Sequence, residues 1–561
     1  MPHHISEVAA KTAIRMFWMI AIAAETIAAV TTASIARIAT MTATATETLH
    51  RAAQLRERLR RCWATRTIFT AVAVVMTATD ASTTHAQLAD WAKEAGQHRS
   101  ETRTITTSAG GTIQAEEGWI AVPERRSSDS SRLIELHYLR LRSPSAESQA
   151  PLVYLAGGPG SPAVPEELSN VDHWVPFLGI GDVVLLDQRG TRDEDLRWMW
   201  DGPLPLDFFL NAETARAHLV ELSRRASEAI RARGVDVAGY TTAESAEDLE
   251  SLRVALGTPA ISLLGFSYGT HLACAYLREH GDRVENAILI GTEGPDMTYK
   301  LPASADAQWA RISARAAADP RLRERIPDLT QLLDRVEEKL ARQPMLVTIP
   351  TPDGGEVTLP IGPFGLRFIL RADLGDASDI PVFPRLLWSI DQGDPSLLSW
   401  FIAKRGPIAI FASGMSYAMD SASGWSAARR QAIESQSGSR FAEVVNFPYP
   451  DIVEAWGLPD LGDAYRAPLI SSARTLFLSG ELDWNTPPYQ AEEIKWGFSN
   501  ATHLIVADAG HEQIWTDETT PILIDFLKGE NVRDRRLEYR PLRFLPLEGI
   551  DPEMSHPAVR S

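Results

Sequence analysis

The chain has 561 residues, of which 44% are hydrophobic and 23% charged, and its formal net charge at pH 7 is −18. This balance is typical of a globular protein with enough apolar side chains for a core, and it excludes a disordered or fibrous chain. A negative charge, with no lysine- or arginine-rich run in the body of the chain, argues against binding to nucleic acid or to an anionic membrane surface.

The first 86 residues differ in composition from the rest. Five arginines between positions 56 and 66 precede an apolar run, Thr67 to Ala78, that ends near Thr84-His85-Ala86. These are the three parts of a secretory signal peptide, which we expect at residues 50–86, with an exposed N-terminal helix as the alternative. We therefore expect Met1 to lie upstream of the working start, near Met41, and the exported, periplasmic or extracellular chain to begin near Gln87.

Two cysteines and one apolar stretch bear on the compartment and the membrane. Met16 to Val30 is too short for a convincing membrane span and is interrupted by Glu25. A chain that begins near Gln87 keeps only Cys274, so it has no internal disulfide. We expect Cys274 to be a buried small hydrophobe and not a second nucleophile.

Eight short runs predict the strands of an α/β fold, most of them apolar throughout, as strands buried on both faces of a parallel sheet are. Helical stretches between the later runs favour an α/β architecture. Residues 87–108 are predicted to be a polar lead-in with a short helix near Leu88 to Ala95. The eight predicted strands are Trp119–Val122, Leu133–Leu141, Leu152–Leu155, Val183–Leu186, Ile261–Leu264, Ala287–Ile290, Thr475–Leu478 and Leu504–Ala507.

The fifth predicted strand runs into Gly265-Phe266-Ser267-Tyr268-Gly269 and then into a predicted helix, Tyr268 to His280. In a nucleophile elbow the strand-to-helix turn is so tight that small residues must flank the serine, whose hydroxyl then stands above the sheet. The alternative is a glycine-rich turn in which Ser267 only caps the helix.

Two loops at the ends of neighbouring strands could serve such a serine. Gly157-Gly158-Pro159-Gly160 follows the third strand, and its backbone N–H groups, with that of Tyr268, are predicted to form an oxyanion hole. A plain turn is the alternative. In Asp187-Gln188-Arg189-Gly190, after the fourth strand, we expect Asp187 and Arg189 to form a buried ion pair that supports the glycine loop. His137 is expected to be a strand residue and not a ligand.

The last two predicted strands end in Ser479-Gly480-Glu481-Leu482-Asp483 and Asp508-Ala509-Gly510-His511-Glu512. A serine hydroxyl becomes a nucleophile when an imidazole takes its proton and a carboxylate orients that imidazole. Ser267, Asp483 and His511, each just beyond a strand, meet this requirement in the chain order Ser, Asp, His. Glu481 is the second choice for the acid.

These motifs together resemble the α/β-hydrolase serine aminopeptidases, the group of proline iminopeptidases and tripeptidyl aminopeptidases. The glycine loop combined with Asp187-Gln188-Arg189-Gly190 is more specific to that group than the elbow, and the resemblance extends loosely from Trp119 to Leu527. It implies hydrolysis of a peptide bond near a free N-terminus, through an acyl-enzyme, without metal or cofactor. Ala156 replaces the histidine common in proline iminopeptidases, which favours the tripeptidyl side, and the lid lacks the cysteines of many tripeptidyl relatives.

The 216 residues between Ser267 and Asp483 are too many for one strand, one helix and their loops, so a lid is predicted at residues 298–465. It divides the core into residues 87–297 and 466–530, followed by a C-terminal tail at 531–561. Within the lid we predict helices over 303–342, 364–374 and 384–391 and a hairpin around Asp353-Gly354-Gly355. Trp400, Phe401, Tyr417 and Trp425 are candidates for a pocket wall or for lid core.

An aminopeptidase needs a carboxylate to hold the substrate ammonium group. Glu293, just past the sixth strand, is the first candidate, with Asp420 and Glu443 of the lid as competitors and a simple capping role as the alternative. The sequence thus predicts a secreted serine hydrolase that acts on small peptides and has no membrane span in its mature chain. An esterase or amidase with the same triad is the alternative, because the fold does not set the leaving group.

Overall fold

A computed structural model of the chain describes residues 89–145, 149–192, 196–351, 355–549 and 556. The predicted signal peptide and the expected starts near Met41 and Gln87 lie outside these residues, as does most of the predicted turn at 353–355. The strands are β1 (His98–Thr106), β2 (Thr112–Pro123), β3 (Leu133–Leu141), β4 (Leu152–Leu155), β5 (Val183–Asp187), β6 (Arg197–Met199), β7 (Ile261–Phe266), β8 (Val284–Ile290), β9 (Met345–Pro350), β10 (Glu356–Ile361), β11 (Phe411–Ser413), β12 (Arg474–Gly480), β13 (Ala501–Ala507) and β14 (Leu537–Glu538).

The α-helices are also numbered in chain order. They are α1 (Ala163–Leu168), α2 (Ala212–Ala232), α3 (Thr242–Ala255), α4 (Tyr268–His280), α5 (Pro302–Ala318), α6 (Leu329–Arg342), α7 (Pro363–Asp373), α8 (Phe383–Asp391), α9 (Ser396–Arg405), α10 (Gly414–Ser423), α11 (Ala427–Glu434), α12 (Ala442–Val445), α13 (Val453–Trp456), α14 (Gly462–Arg466), α15 (Pro488–Lys495) and α16 (Thr520–Leu527). None of the helices in the described ranges has the length and apolarity that crossing a bilayer requires.

Ten strands form one mixed sheet in the order β1-β2-β3-β5-β4-β7-β8-β12-β13-β14. The three pairings among β1, β2, β3 and β5 are antiparallel, and every pairing from β5-β4 to β13-β14 is parallel. The predicted α/β-hydrolase fold is confirmed, with all eight predicted strands in the sheet. Since the carboxyl ends of parallel strands meet at one edge, the loops after β4, β5, β7, β12 and β13 come together there.

The sheet has two strands more than predicted, one at each edge. Residues 98–106 pair with β2 as an antiparallel strand, and turns replace the predicted short helix in residues 89–97. The interpretation of this segment as a lead-in was wrong because an edge strand that faces solvent can be polar almost throughout. β14, in the predicted tail, pairs with β13 through only two residues.

Alternate side chains of the strands enter two separate cores. Leu152 and Tyr154 of β4 face a core completed by α1 and α16, whereas Val153 and Leu155 face the core shared with α2, α3 and α4. This alternation is the two-residue period of a strand. It explains why the parallel strands are apolar throughout, since both faces are covered.

The segment between β8 and β12 contains helices α5 to α14 and the antiparallel hairpin β9-β10. The predicted helical stretch 303–342 is two helices, because α5 ends at Ala318 before Asp319-Pro320 and Asp328 caps α6 by accepting from the N–H groups of Thr330 and Gln331. One strand of this segment, β11, pairs antiparallel with β6, which precedes the segment in the chain. We call this segment, residues 298–465, the insertion.

Candidate active site

Ser267 lies at the turn between β7 and α4, with backbone angles of φ 53° and ψ −123°. A non-glycine residue at positive φ is strained, and such strain is found where function requires it. Two glycines make the turn possible. A Cβ at Gly265 would lie 2.6 Å from the carbonyl oxygen of Gly269, and a Cβ at Gly269 would overlap the carbonyl oxygen of Leu155.

The structure brings the three predicted triad residues together. Ser267 Oγ lies 2.9 Å from His511 Nε2, and His511 Nδ1 lies 2.7 Å from Asp483 Oδ2. Each bond has the length of an ordinary or charge-assisted hydrogen bond. Residues 244 and 28 positions apart in sequence therefore form one continuous hydrogen-bonded chain.

The protonation of this chain follows from burial and from the charges beside it. Burial lowers the pKa of His511, but the carboxylate of Asp483 outweighs that effect and raises the pKa to about 9. Burial raises the pKa of Asp483, but His511 and the donors of Thr486 hold it below its ordinary value. The pair is therefore built to stabilise a carboxylate beside an imidazolium.

Asp483, and not Glu481, is the acid that contacts the histidine. Asp483 Oδ1 accepts from the backbone of Asn485 and Thr486, and Oδ2 accepts from the Thr486 hydroxyl at 2.6 Å. Glu481 instead pairs with Arg315 of α5 at 3.0 Å and accepts from the N–H of Asp508. Its carboxylate fixes the loop before His511 to the insertion.

The glycine loop lies directly against the serine. A Cβ at Gly157 would lie 3.1 Å from Ser267 Cβ, and Gly158 and Gly160 have φ of +113° and +115°, which suit glycine alone. Tyr268 is the first residue of α4, so its N–H has no acceptor within the helix. The predicted donors at Gly157, Gly158 and Tyr268 thus flank Ser267.

Comparison with known proteins agrees with this geometry. Residues 150–345 match a family model described as alpha/beta hydrolase fold. This part of the chain therefore has the α/β-hydrolase fold. The chain is also similar to a tripeptidyl aminopeptidase of Streptomyces lividans, at 26% identity over 194 residues that make up 32% of this chain and 35% of the relative.

Other similarities are shorter or structural. Serine protease Hip1 of Mycobacterium tuberculosis is 42% identical over 55 residues, which are 10% of this chain and 11% of that protein. A solved proline iminopeptidase-related protein from Thermus thermophilus shares 18% identity at a TM-score of 0.30, covering 77% of this chain and 96% of its own. The chain spans about a third or less of the length of the two curated relatives, the tripeptidyl aminopeptidase and Hip1.

Glu293, the first candidate for holding a substrate amine, already has a cationic partner. Its carboxylate forms an ion pair with Lys300, and its backbone N–H donates to Thr270 Oγ1 at 2.7 Å. Burial raises the pKa of Glu293, but Lys300 and His271 hold it below its ordinary value. Nothing in the sequence around Lys300 indicates that its side chain contacts Glu293, so this partner was not predicted.

Asp420, one of the two competitors, has different surroundings. No lysine or arginine of the described residues forms an ion pair with it. Burial and the charge of Glu293 raise its pKa to about 7, against the opposite effects of Tyr449 and of the charge of Lys300. Tyr449 is a hydrogen-bond partner of the carboxyl group, and its ring contacts those of Tyr299 and Tyr417. The other competitor, Glu443, lies 3.6 Å from Arg367, and its side chain is 42% exposed.

The helix that carries Asp420 touches the nucleophile elbow and the glycine loop. On α10, Ser416 Oγ donates to the carbonyl of Pro159 at 2.6 Å, and the sulfur of Met419 contacts the hydroxyl of Tyr268. Residues four apart share a helix face, so Asp420 lies on the same side as Ser416. Two predicted wall residues belong to the aromatic group near Asp420, since Tyr417 packs on Tyr449 and Trp425 packs on Tyr299. The other two, Trp400 and Phe401, pack edge to face at 4.8 Å elsewhere in the insertion.

The predicted ion pair between Asp187 and Arg189 was wrong. Asp187 Oδ2 bonds to His137 Nδ1 at 2.8 Å, and Arg189 pairs with Asp248 at 2.6 Å. The strand ends at Asp187 and the chain then turns, with Thr191 N–H donating to Gln188 O, so the two side chains leave in different directions. His137 lies in β3, as predicted.

Two further groups near the triad escaped the sequence analysis. Thr486 bonds to Asp483 and stands 3.2 Å from His511 Nδ1, and the carbonyl of Gly375, from the insertion, accepts the His511 N–H at 2.6 Å. Nothing in the local sequence indicates that Thr486 or Gly375 contacts these residues.

Cys274 is buried, and burial raises the pKa of its thiol to about 12. No cluster of three metal-ligating side chains occurs within the described ranges.

Proposed function

We propose that this protein is a serine hydrolase that cleaves peptide bonds near the free N-terminus of small peptides, through an acyl-enzyme formed on Ser267. The observation that carries the proposal is the hydrogen-bonded chain of Ser267, His511 and Asp483 at the edge where the parallel strands end. Peptidase-named relatives of low identity support the choice of substrate.

The proposed mechanism assigns one task to each group. His511 Nε2 takes the proton of Ser267 as Oγ attacks the scissile carbonyl carbon, and Asp483 stabilises the imidazolium. His511 then gives this proton to the leaving amine as the C–N bond breaks. In the second half, His511 takes a proton from the water that attacks the acyl carbon. His511 then gives this proton to Ser267 Oγ as the ester bond breaks, which releases the acid and restores the serine hydroxyl.

The negative charge of the tetrahedral intermediate also needs donors. We assign this task to backbone N–H groups of the glycine loop, at Gly157 and Gly158, and to that of Tyr268. Donors that are already oriented toward the developing oxyanion stabilise the transition state without reorganisation. Their position beside Ser267 supports the assignment.

We assign the substrate ammonium to Asp420 and no longer to Glu293. A carboxyl group without a cationic partner can pair with an incoming ammonium, while Lys300 already neutralises Glu293. The rings of Tyr299, Tyr417 and Tyr449 around Asp420 support this assignment, since aromatic faces also attract cations.

The first experiment compares an Ala-Ala-Pro anilide that has a free N-terminus with its acetylated form, using Ser267→Ala as the blank. A strong preference for the free amine is expected of an aminopeptidase. Equal or absent turnover of both, together with fast cleavage of a nitrophenyl ester, would assign the protein as an esterase.

The amine site is tested by Asp420→Asn against Glu293→Gln. We expect Asp420→Asn to raise KM for the free-amine anilide by about ten- to a hundredfold, with little change for the acetylated one, because only the former loses a charged hydrogen bond. Glu293→Gln should affect both substrates alike. The reverse pattern would return the amine site to Glu293.

We also propose that the protein is exported, with residues 50–86 as its signal peptide. The arrangement of arginines, apolar run and small residues in the sequence supports this. N-terminal sequencing of the exported protein should find a start near Gln87, whereas an intact Met1 would contradict the proposal.

A further inference from the structure

The glycine loop has few means of fixing its own position. Gly157, Gly158 and Gly160 have no side chains, and glycine loses more conformational freedom on folding than any other residue. The direction of the loop's N–H groups therefore depends on contacts made by other segments. In the proposed reaction these N–H groups must lie within hydrogen-bond reach of the oxyanion.

Two consecutive side chains at the end of β5 bind the segment on both sides of the loop. Gln188 Nε2 donates to the carbonyl of Ala156, directly before the glycines, at 2.9 Å. Asp187 Oδ1 accepts from the N–H of Val164, four residues after Gly160, at 2.8 Å. One dipeptide thus holds the segment 156–164 at both ends.

Both side chains are buried, with 1% of Asp187 and 3% of Gln188 exposed. In a buried site water cannot replace a lost partner, so breaking either bond leaves a polar backbone group unsatisfied. The segment is therefore held firmly where the two bonds place it. The insertion also supports the loop, because Ser416 Oγ donates to the carbonyl of Pro159.

Asp187, at the end of β5, is itself fixed by a chain of polar contacts that runs through β3 and β2 to β1. Its Oδ2 bonds to His137 Nδ1 of β3 at 2.8 Å, and His137 Nε2 bonds to Glu117 Oε1 of β2 at 2.8 Å. Arg103 of β1 then pairs with Glu117 at 2.7 Å. The carboxylate that receives the Val164 N–H is thus anchored to the antiparallel part of the sheet.

We propose that Asp187 and Gln188 are positioning residues, which keep the glycine loop's N–H groups aimed at the oxyanion while touching neither substrate nor Ser267. This inference rests on the proposed function, because it assigns the loop to the same site. The support of the glycine loop, which the sequence assigned to an ion pair of Asp187 with Arg189, is thereby assigned to the bonds that Asp187 and Gln188 form with the segment 156–164.

The test uses the full chain with Gln188→Met and Asp187→Leu. Methionine keeps the length of glutamine but cannot donate to Ala156 O, and leucine keeps the size of aspartate but cannot accept from the Val164 N–H. Each variant should lower kcat by about ten- to a hundredfold with KM within about twofold, since the donors act on the transition state. Affinity for a peptide boronic acid, which forms a tetrahedral adduct on the serine, should fall by the same factor as kcat.

Asp182→Leu is the matched control. Asp182 directly precedes β5, is buried, and accepts from Arg140 at 2.7 Å and from Ser143 N–H at 2.7 Å, far along the strand from the glycine loop. Its variant also loses an acceptor for one backbone N–H and one side chain but should keep kcat within about twofold. A loss of kcat in Asp182→Leu equal to that in Asp187→Leu would overturn the positioning role.

Hydrogen exchange of the same variants separates this inference from the proposed function. Amides of residues 156–164 should exchange faster in Gln188→Met than in the wild type, while those of β5 stay protected. Unchanged exchange in 156–164 would overturn the inference even if activity fell. If the wild type showed no turnover but exchange of residues 156–164 were faster in the variant, the proposed function would be wrong. The role of Asp187 and Gln188 in holding this segment would still be supported.

Discussion

Asp483 and Glu481 stand two residues apart at the end of β12, yet they contact different partners. Asp483 bonds to His511, while Glu481 pairs with Arg315 of the insertion. Both carboxylates come from one short loop, so their local sequence alone does not separate them. The roles are set by which side chains the fold brings within reach.

Replacing Asp483 or Glu481 by its amide should change kcat to different extents. Asp483→Asn should lower kcat by roughly 10⁴-fold, because the amide cannot stabilise the imidazolium of His511. Glu481→Gln should lower it by less than about tenfold, since only a loop contact weakens. Steady-state kinetics of both variants checks this, and equal losses would contradict the assignment of Asp483.

The pH dependence of kcat/KM should show the influence of Asp483 on His511. His511 must be neutral to accept the serine proton, and its pKa is raised to about 9, so kcat/KM should rise as the pH increases toward that value. In Asp483→Asn, burial and the charge of Lys300 still lower the pKa of the imidazole, and only the charge of Glu512 still raises it. The acid limb of the residual activity should therefore move to lower pH, and an unmoved limb would contradict this account.

At the scale of elements, the turn from β7 to α4 depends on the close approach of Gly269 to β4. The neighbouring strands β4 and β7 are parallel, with Leu155 opposite Gly265. The same approach places the loop after β4 beside Ser267. Packing of one helix start against one strand end therefore builds both sides of the site.

Gly269→Ala should lower the free energy of unfolding by about 1–3 kcal/mol or more, because its Cβ would overlap the Leu155 carbonyl oxygen. Gly281, at the other end of α4, is the matched control, since it has φ −60° and no atom within 4 Å of an added Cβ. Gly281→Ala should be neutral or slightly stabilising. Urea unfolding measures the free energy of unfolding of both variants. Equal changes in the two would contradict the close contact at Gly269.

At the scale of the whole molecule, the insertion, the core and the C-terminal segment are joined by contacts that are distant in sequence. Gly375 bonds to His511, Ser416 bonds to Pro159, and Leu545 N–H donates to the carbonyl of Pro381 at 3.0 Å. The C-terminal segment thus contacts the insertion six residues after Gly375, the residue that bonds to His511. It is an integral part of the fold and not a loose extension.

Removing a buried side chain of this segment should therefore destabilise the protein. Phe544 is 2% exposed, and Phe544→Ala should lower the free energy of unfolding by about 3–5 kcal/mol. Ile470, which is 84% exposed, provides the control, and Ile470→Ala should change it by less than about 0.5 kcal/mol. Thermal or urea unfolding measures both, and a neutral Phe544→Ala would show that the segment does not contribute to stability.

The parts of the site that follow strand ends were predictable. Ser267, Asp483, His511 and the glycine loop each stand beside a short apolar run, and the edge where parallel strands end gathers such residues whatever the detail of packing. The central strands were predictable for the same reason, because burial on both faces requires continuous apolar runs. The polar edge strand β1 was missed because it has no such requirement.

The sequence by itself determined the fold class, the choice of Ser267, His511 and Asp483 as residues that meet at the strand ends, and the presence of a long segment between β8 and β12. These depend on local patterns: strand periodicity, turn glycines and the distance between motifs. Only the tertiary structure decided that Lys300 neutralises Glu293, that Asp420 stands among tyrosines, and that Asp187 bonds to His137 and Val164 instead of Arg189. Partner choice among buried charges depends on contacts between residues distant in sequence, and no local pattern encodes it.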